Sequence, residues 1–158
     1  MAARKTAYIV YLSIVVKGVF MALGRPPGYK PQTVCDLLDV GVSTFRYWRE
    51  RIEPAPRRTS FSAGDLLAFR IIKVLIYRKH LSADLLATFP FSGIFATCGR
   101  CPANELATQF LLLDESDHSV HFVSSKKDVD PYDLNVHVLG LGPVVVEQND
   151  AFSHLGNA

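Results

Sequence analysis

Apolar residues recur at helical spacing in two short stretches that a glycine separates. The first stretch places three of them on one face of a predicted helix: Val34, Leu37 and Leu38. Gly41 then suits a tight connection, because it has no Cβ to clash. The second stretch has its own apolar face, formed by Phe45, Trp48 and Ile52. The pattern predicts two helices joined by a short turn.

Polar and basic side chains surround the apolar face of the second helix. Among them are Arg46, Tyr47, Arg49 and Glu50. A short helix with one apolar face and arginines around it fits a recognition helix in the major groove of DNA. Spacing alone fits a helical hairpin with a solvated basic face about as well.

Further helices are predicted between residues 62 and 90. Ser62 and Asp65 favour a helix start, because a hydroxyl caps free amides and an acid suits the positive end. Apolar residues repeat after it with helical period, and Ser82 is placed to cap a short helix that carries Leu85 and Leu86. Pro90 then stops propagation, since it lacks a donor and clashes with the preceding turn.

The last third of the chain has the alternation typical of strands. Residues 109–113 and 119–123 flank the polar loop DESDH and predict a β-hairpin, and residues 134–139 predict a third strand. Residues 124–133 are expected to form a surface loop. The final apolar run, from Val144 to Leu155, fits a strand or a helix.

The charges of the chain are segregated. Residues 25–80 hold eleven Lys or Arg against five Asp or Glu, a balance of +6, whereas residues 81–158 hold three against ten, a balance of −7. The first 24 residues contribute +3, which gives the net +2 of the whole chain. DNA, a polyanion, would attract the basic half and repel the acidic half.

Residues 29–48 resemble, without a gap, the MerR-type winged helix-turn-helix family. The matching residues are Tyr29, Val34, Leu37, Leu38, Val40, Ser43, Thr44, Phe45, Arg46, Tyr47 and Trp48. The family also carries an aromatic residue, Ser, two variable residues and Asp-Leu at its next helix. Phe61, Ser62, Asp65 and Leu66 occupy those positions here. The match covers roughly residues 29–86, about a third of the chain.

The resemblance, together with the patterns of charge and hydrophobicity, predicts an α+β chain in three parts. Residues 1–24 form an apolar leader, residues 25–88 a MerR-like winged helix-turn-helix, and residues 89–158 a small acidic, β-rich α/β unit. Three features depart from the family. The wing before Phe61 is short, Arg49 stands where an acid is common, and Pro90 removes the long helix through which the family dimerises.

The apolar leader allows several interpretations. Ala7 to Leu23 is slightly short for a membrane-spanning helix and is interrupted by Lys17, and no small-residue cleavage site follows it. Met21 as the true initiator, or an ordinary packed segment, is favoured over membrane anchoring.

Candidate chemistry is sparse. Cys98 and Cys101 form a CxxC that fits a redox pair or half of a metal site, and folding could bring His118 and His121 near it. Two small, half-buried residues are the favoured interpretation. No catalytic residue, metal site or cofactor is predicted, and the chain is not expected to be an enzyme.

The predicted function is a cytoplasmic, sequence-specific, DNA-binding transcriptional regulator of bacterial or phage type. The expected contacts to double-stranded DNA are Lys30, Ser43, Thr44, Arg46, Tyr47, Arg49, Arg57, Arg58 and Thr59. Arg46, with Arg49, would contact base edges. Arg57, Arg58 and Thr59 would bind the phosphate backbone of the DNA.

The sequence is also compatible with two alternatives. One is an architectural DNA-binding protein similar to excisionases or terminase small subunits. The other is an antitoxin-like regulator whose acidic half binds a basic protein partner. Self-association, where it occurs, is expected to form a homodimer through the C-terminal half, and no membrane partner is predicted.

Overall fold

The computed structural model of the protein describes residues 28–127, 129–130 and 132–155. It has seven helices in these ranges: α1 Pro31–Leu38, α2 Val42–Arg51, α3 Ala63–Tyr77, α4 Ala83–Leu86, α5 Phe91–Arg100, α6 Ala103–Leu106 and α7 Leu141–Leu155. Three strands precede α7: β1 Phe110–Asp114, β2 Ser119–Val123 and β3 Val136–Gly140. The expected α+β class is confirmed.

The turn between α1 and α2 forms where the sequence predicts it, but with a different residue in the strained position. Asp39 adopts the left-handed conformation, with φ 50°, and its amide donates to the carbonyl groups of Cys35 and Asp36. Gly41 is extended, with φ −67°, and serves as the N-cap of α2. An Asp tolerates the left-handed region better than most residues, so the freedom expected of Gly41 is not used.

The central helix α3 begins at the predicted cap and reaches the end of α1. Ser62 and Asp65 form a reciprocal capping box, in which each side chain bonds the backbone of the other. Further along α3, Arg70 donates to the carbonyl oxygen of Leu37 at 2.7 Å, and Lys73 donates to that of Leu38 at 2.6 Å. Both cations therefore satisfy carbonyl groups that the C-terminus of α1 leaves free.

The strands form one antiparallel sheet in the order β2-β1-β3. In the central strand, Leu111 and Leu113 are fully buried and face the helices. The predicted hairpin is confirmed, and the third strand begins two residues later than the sequence predicts.

The last apolar run is a helix. In α7 the buried positions are Leu141, Val144, Val145 and Gln148, which is helical spacing. Gln148 accepts a hydrogen bond from Arg70 and donates one to the carbonyl oxygen of Ala63. Phe152 stacks on Tyr29 at 5.7 Å between ring centroids, so α7 lies against the start of α1 as well as against α3.

The helix before Pro90 ends four residues ahead of it, and Pro90 begins a new helix. The chain leaves α4 at Leu86, turns, and resumes helix at Phe91, with Pro90 as the N-cap. The new helix packs on α3, where Phe95 meets Phe69 edge to face at 5.1 Å. Buried side chains from α1 to α7 form one cluster, so the predicted boundary at residue 88 divides charge and composition but not the core.

Across the described ranges, no helix is both long and apolar enough to cross a lipid bilayer. The predictions about the apolar leader, residues 1–24, concern a segment outside the described residues.

Gly64 lies at a close approach of α3 to α5. A Cβ at this position would lie 2.5 Å from the carbonyl oxygen of Cys98 and 2.7 Å from the Cα of Gly99. We expect Gly64→Ala to lower the free energy of unfolding by about 1–2 kcal/mol, because the backbone of α5 must move. Denaturant unfolding followed by circular dichroism measures this.

Gly93 provides the matched control for that substitution. It lies in α5, and a Cβ there would meet nothing within 4 Å. Gly93→Ala should leave the stability unchanged or raise it by up to about 1 kcal/mol, since alanine is the better helix former. Equal stability of the two variants would contradict the close packing of α3 on α5.

Candidate nucleic-acid interface

Helix α2 is anchored by aromatic side chains on one face and open on the other. Phe45 and Trp48 are almost fully buried. The Phe45 ring lies 4.8 Å from the ring of Phe69 in α3, and the Trp48 ring lies 6.1 Å from that of Tyr77. Ser43, Arg46, Tyr47 and Glu50 are exposed, and Thr44 is half-buried. The aromatic contacts therefore fix which side chains of α2 face solvent.

The N-terminus of α2 has no side-chain cap. Gly41, its N-cap, has no side-chain oxygen, and the first turn contains no acidic residue. In α3, by contrast, the Ser62–Asp65 capping box fills the same positions. The first-turn amides of α2 are therefore open to an external acceptor, and the helix dipole favours one with negative charge.

Three exposed cations lie on the elements around α2. They are Lys30, at the N-cap position of α1, Arg46 in α2, and Arg57 in the loop after α2. Within the described residues, none of them forms an ion pair or a side-chain hydrogen bond. A cavity of about 310 Å³ lies between α1 and α2, and Arg46 lines it together with Gln32 and Arg49. These charges are available to a ligand.

Two other predicted contact residues are half-buried and bind a buried carboxylate. The Glu53 side chain is fully buried and accepts from Arg49 Nε at 2.7 Å and from Arg58 Nε at 2.8 Å. Arg49 also donates to the carbonyl oxygens of Pro56 and Arg58. We call Glu53, Arg49 and Arg58 the Glu53 cluster.

The Glu53 cluster reaches the start of α3 through a fourth residue. Arg58 Nη1 lies 3.0 Å from Asp65 Oδ1, the acid of the capping box. Burial alone would lower the pKa of Arg58, but hydrogen bonds to Asp65 and Glu53 outweigh it and raise that pKa above its ordinary value. The arginine is therefore a permanent cation that ties the loop to α3.

The loop between α2 and α3 is shaped by these contacts rather than by paired strands. Residues 53–60 contain no strand, and the loop is closed at its base by an isolated bridge between Tyr29 and Phe61, with N–O distances of 2.7 and 2.9 Å. Arg57 and Thr59 are exposed on it. The predicted wing residues thus divide into two that face outward and one, Arg58, that holds the loop in place.

Sequence reasoning missed an acid beside α2. Asp84, in α4, accepts a hydrogen bond from the Tyr47 hydroxyl at 3.3 Å and lies 3.6 Å from Arg51 Nη1. Asp84 is strongly exposed, so both contacts are weak. No sequence signal could have found them, because the turn after α3 sets the approach of α4 to α2.

The CxxC cysteines lie away from α2, at the end of α5. Cys98 is buried and Cys101 is half-buried, and all three cysteines are free thiols. Burial is the main cause that raises the pKa of Cys98, to about 12. His118 and His121 bond Thr88 and Ser119 instead. The described part of the chain brings together no group of three or more side chains that could hold a metal ion.

No known family model matches the chain, and no characterised protein or solved structure is detectably similar to it.

Proposed function

We propose that this protein is a sequence-specific DNA-binding transcriptional regulator of bacterial or phage type, with a MerR-like winged helix-turn-helix formed by α1, α2 and the loop after α2. The observation that carries the proposal is the orientation of α2. Phe45 and Trp48 fix one face in the core, while Ser43, Arg46 and Tyr47 stand on the exposed face beside an uncapped N-terminus. A recognition helix needs this division.

In this proposal α2 enters the major groove with its N-terminus foremost. Arg46 has the reach and the five donors to bind the O6 and N7 atoms of a guanine in a bidentate manner. Ser43 and the open amides of the first turn donate to a phosphate, and the Tyr47 hydroxyl fixes the register on the backbone. Thr44 lies at the edge of this surface.

The flanking cations supply contacts that do not depend on sequence. Lys30 and Arg57 would pair with phosphates on either side of the groove, and Thr59 would donate to the same strand as Arg57. Arg49 and Arg58 have a positioning role, because both are bound to Glu53. The acidic half of the chain, which a phosphate backbone repels, would face away from the DNA.

A selection from fragmented genomic DNA tests the proposal. Purified full-length protein is mixed with the fragments at physiological salt, and the bound fragments are sequenced after several rounds. Enrichment of one common sequence supports the proposal. Recovery that follows fragment length alone, or no recovery, counts against a sequence-specific regulator.

Replacing Asp84 is expected to strengthen DNA binding. Its carboxylate competes with phosphate for Tyr47 and Arg51. We expect Asp84→Asn to tighten DNA binding by about 0.2–1 kcal/mol, which is up to about fivefold. Fluorescence anisotropy with a labelled duplex measures it.

Glu105→Gln is the matched control for Asp84→Asn. It removes one negative charge from another exposed position in a short helix, α6, without a side-chain contact to α2. Its DNA affinity should equal that of the unmodified protein. If both variants bind more tightly by the same factor, overall charge and not the local competition explains the gain.

A further inference from the structure

The two CxxC cysteines share a cavity that the proposed DNA-binding surface does not use. The cavity has a volume of about 170 Å³ and lies between α3, α5 and α7. Cys98 and Cys101 line it together with the apolar side chains of Leu67, Val145 and Phe152 and the amide of Gln148. Both sulfur-bearing side chains thus face one small, mostly apolar space.

The backbone brings the two thiols within reach of each other. The amide of Cys101 still donates to the carbonyl oxygen of Thr97 at 2.8 Å, so residues 97–101 form a helical turn. Positions three apart on such a turn have their β-carbons about 5–6 Å apart. Cys101 itself is extended, with φ −83° and ψ 135°, and has left the helix. A modest rotation there reaches the separation of about 3.5–4.5 Å that a disulfide needs.

The surroundings favour this bond over a metal ion. Structural zinc takes four ligands, and in the described part of the chain no third Cys, His, Asp or Glu joins the pair. A disulfide needs no further ligand and carries no charge, so it fits apolar walls.

We propose that Cys98 and Cys101 form a modification site that hydroperoxides convert to an intramolecular disulfide. Cys101, the more accessible thiol, attacks the peroxide oxygen; the O–O bond breaks, and a sulfenic acid at Cys101 and an alcohol are formed. The Cys98 sulfur then attacks the Cys101 sulfur. The S–S bond forms, and the sulfenic hydroxyl leaves with the Cys98 proton as water. The two thiols are oxidised, and the hydroperoxide is reduced.

Burial of Cys98 affects both the rate and the equilibrium of this reaction. Because the pKa of Cys98 is raised to about 12, the reduced pair is not stabilised as a thiolate. The second step is therefore slow at neutral pH and speeds up as pH rises. The disulfide, once formed, is more resistant to reduction than one with an acidic thiol.

The site is joined directly to the elements around α2. The carbonyl oxygen of Cys98 packs against Gly64 in the first turn of α3, where there is no room for even a Cβ. The next residue, Asp65, binds Arg58 of the Glu53 cluster at 3.0 Å. Closing the disulfide rotates the last turn of α5 against α3 and shifts the anchor of the loop that carries Arg57. This consequence rests on the proposed function, whereas the disulfide does not.

The first test uses the reduced full-length protein and cumene hydroperoxide at equimolar concentration. Free thiols are counted, and the bond is mapped by mass spectrometry after digestion. We expect two of the three thiols to be lost, a disulfide between Cys98 and Cys101, a free Cys35, and full recovery with dithiothreitol. Intermolecular disulfides, sulfinic acid at Cys101, equal loss of Cys35, or unreacted thiols overturn the proposal.

Single variants distinguish the roles of the two thiols. Cys98→Ser should leave a sulfenic acid at Cys101 that dimedone traps, and Cys101→Ser should abolish the reaction with the hydroperoxide at this site, because the remaining thiol, Cys98, is buried. Cys35→Ser, the control, should react like the unmodified protein. Trapping at Cys98 instead of Cys101 would contradict the order of steps, and mapping on the unmodified protein decides the bond itself if a variant does not fold.

The second test compares DNA affinity before and after oxidation. We expect the disulfide form to bind a selected duplex at least about fivefold more weakly, the lower end of ordinary coupling between sites. Equal affinity of the two forms would overturn the coupling. If neither form binds DNA, the proposed function fails, and the thiol count still decides the disulfide.

Discussion

Glu53→Ala is expected to lower the free energy of unfolding by about 3–5 kcal/mol, the cost typical of breaking a buried ion pair. The Glu53 carboxylate is fully buried and binds two arginines at 2.7 and 2.8 Å. Its removal leaves Arg49 and Arg58 as partly buried cations without that counter-charge. The loss is a large fraction of the total stability of an ordinary domain, about 5–15 kcal/mol.

Urea unfolding of Glu53→Ala, followed by circular dichroism, measures the loss. Glu50→Ala is the control, because Glu50 lies three residues earlier, in the last turn of α2, and is exposed. It should change the stability by no more than about 0.5 kcal/mol. Glu53→Gln, which keeps one acceptor oxygen, should fall between the two. A stability of Glu53→Ala equal to that of Glu50→Ala would show that the Glu53 cluster does not hold the loop.

The sequence predicts best where the determinants are local. The Ser62–Asp65 cap needs two side chains three residues apart, and the structure has it as a complete capping box. The hairpin of β1 and β2 follows from two alternating runs around a polar loop, and the register pairs Leu111 with Phe122. Each of these features is fixed by residues close in the chain.

The segment from Val144 to Leu155, whose sequence fits a strand or a helix, shows the limit of local patterns. Three consecutive valines, at 144–146, favour a strand by propensity, whereas the spacing of Leu141, Val145 and Gln148 favours a helix. Packing decides for the helix, because Gln148 reaches both Arg70 and the carbonyl oxygen of Ala63. Contacts between residues so far apart in the chain cannot be inferred from the spacing of apolar residues.

The candidate site shows the same limit more sharply. The sequence predicts a DNA contact for each of four arginines on α2 and the loop after it. In the structure these arginines differ in exposure and in their partners. Arg46 and Arg57 are exposed, whereas Arg49 and Arg58 bind Glu53. A glutamate is rarely buried, so its sequence position gave no reason to expect it at the centre of this cluster.

The path of the chain after α4 bears on assembly. In the MerR-type family a long helix leaves the DNA-binding part at this point and pairs with its counterpart. Here α4 ends at Leu86, and α5 turns back to pack on α3, with Phe95 against Phe69. Because α5 covers α3 in this way, no long helix extends from the proposed DNA-binding part at this point within the described residues. We therefore propose that any homodimer forms through the C-terminal half.

Arg46→Ala is expected to weaken binding to the selected sequence by about 1–3 kcal/mol, because a bidentate contact to a base is lost. Arg46 is exposed on α2 and has no ion pair among the described residues, so its removal should leave the fold unchanged. The variant should also lose its preference at one position of the site. Anisotropy titrations against the selected duplex and its single-base variants measure both effects.

Arg57→Ala is the matched comparison, since it removes the same charge from the loop instead of the helix. A phosphate contact carries no sequence information, so this variant should bind all duplexes more weakly by one factor. The slope of log affinity against log salt should fall in magnitude by about one. If Arg46→Ala behaved like Arg57→Ala, with a uniform loss and no relaxed position, α2 would lie on the DNA backbone and would not be the helix that reads the sequence.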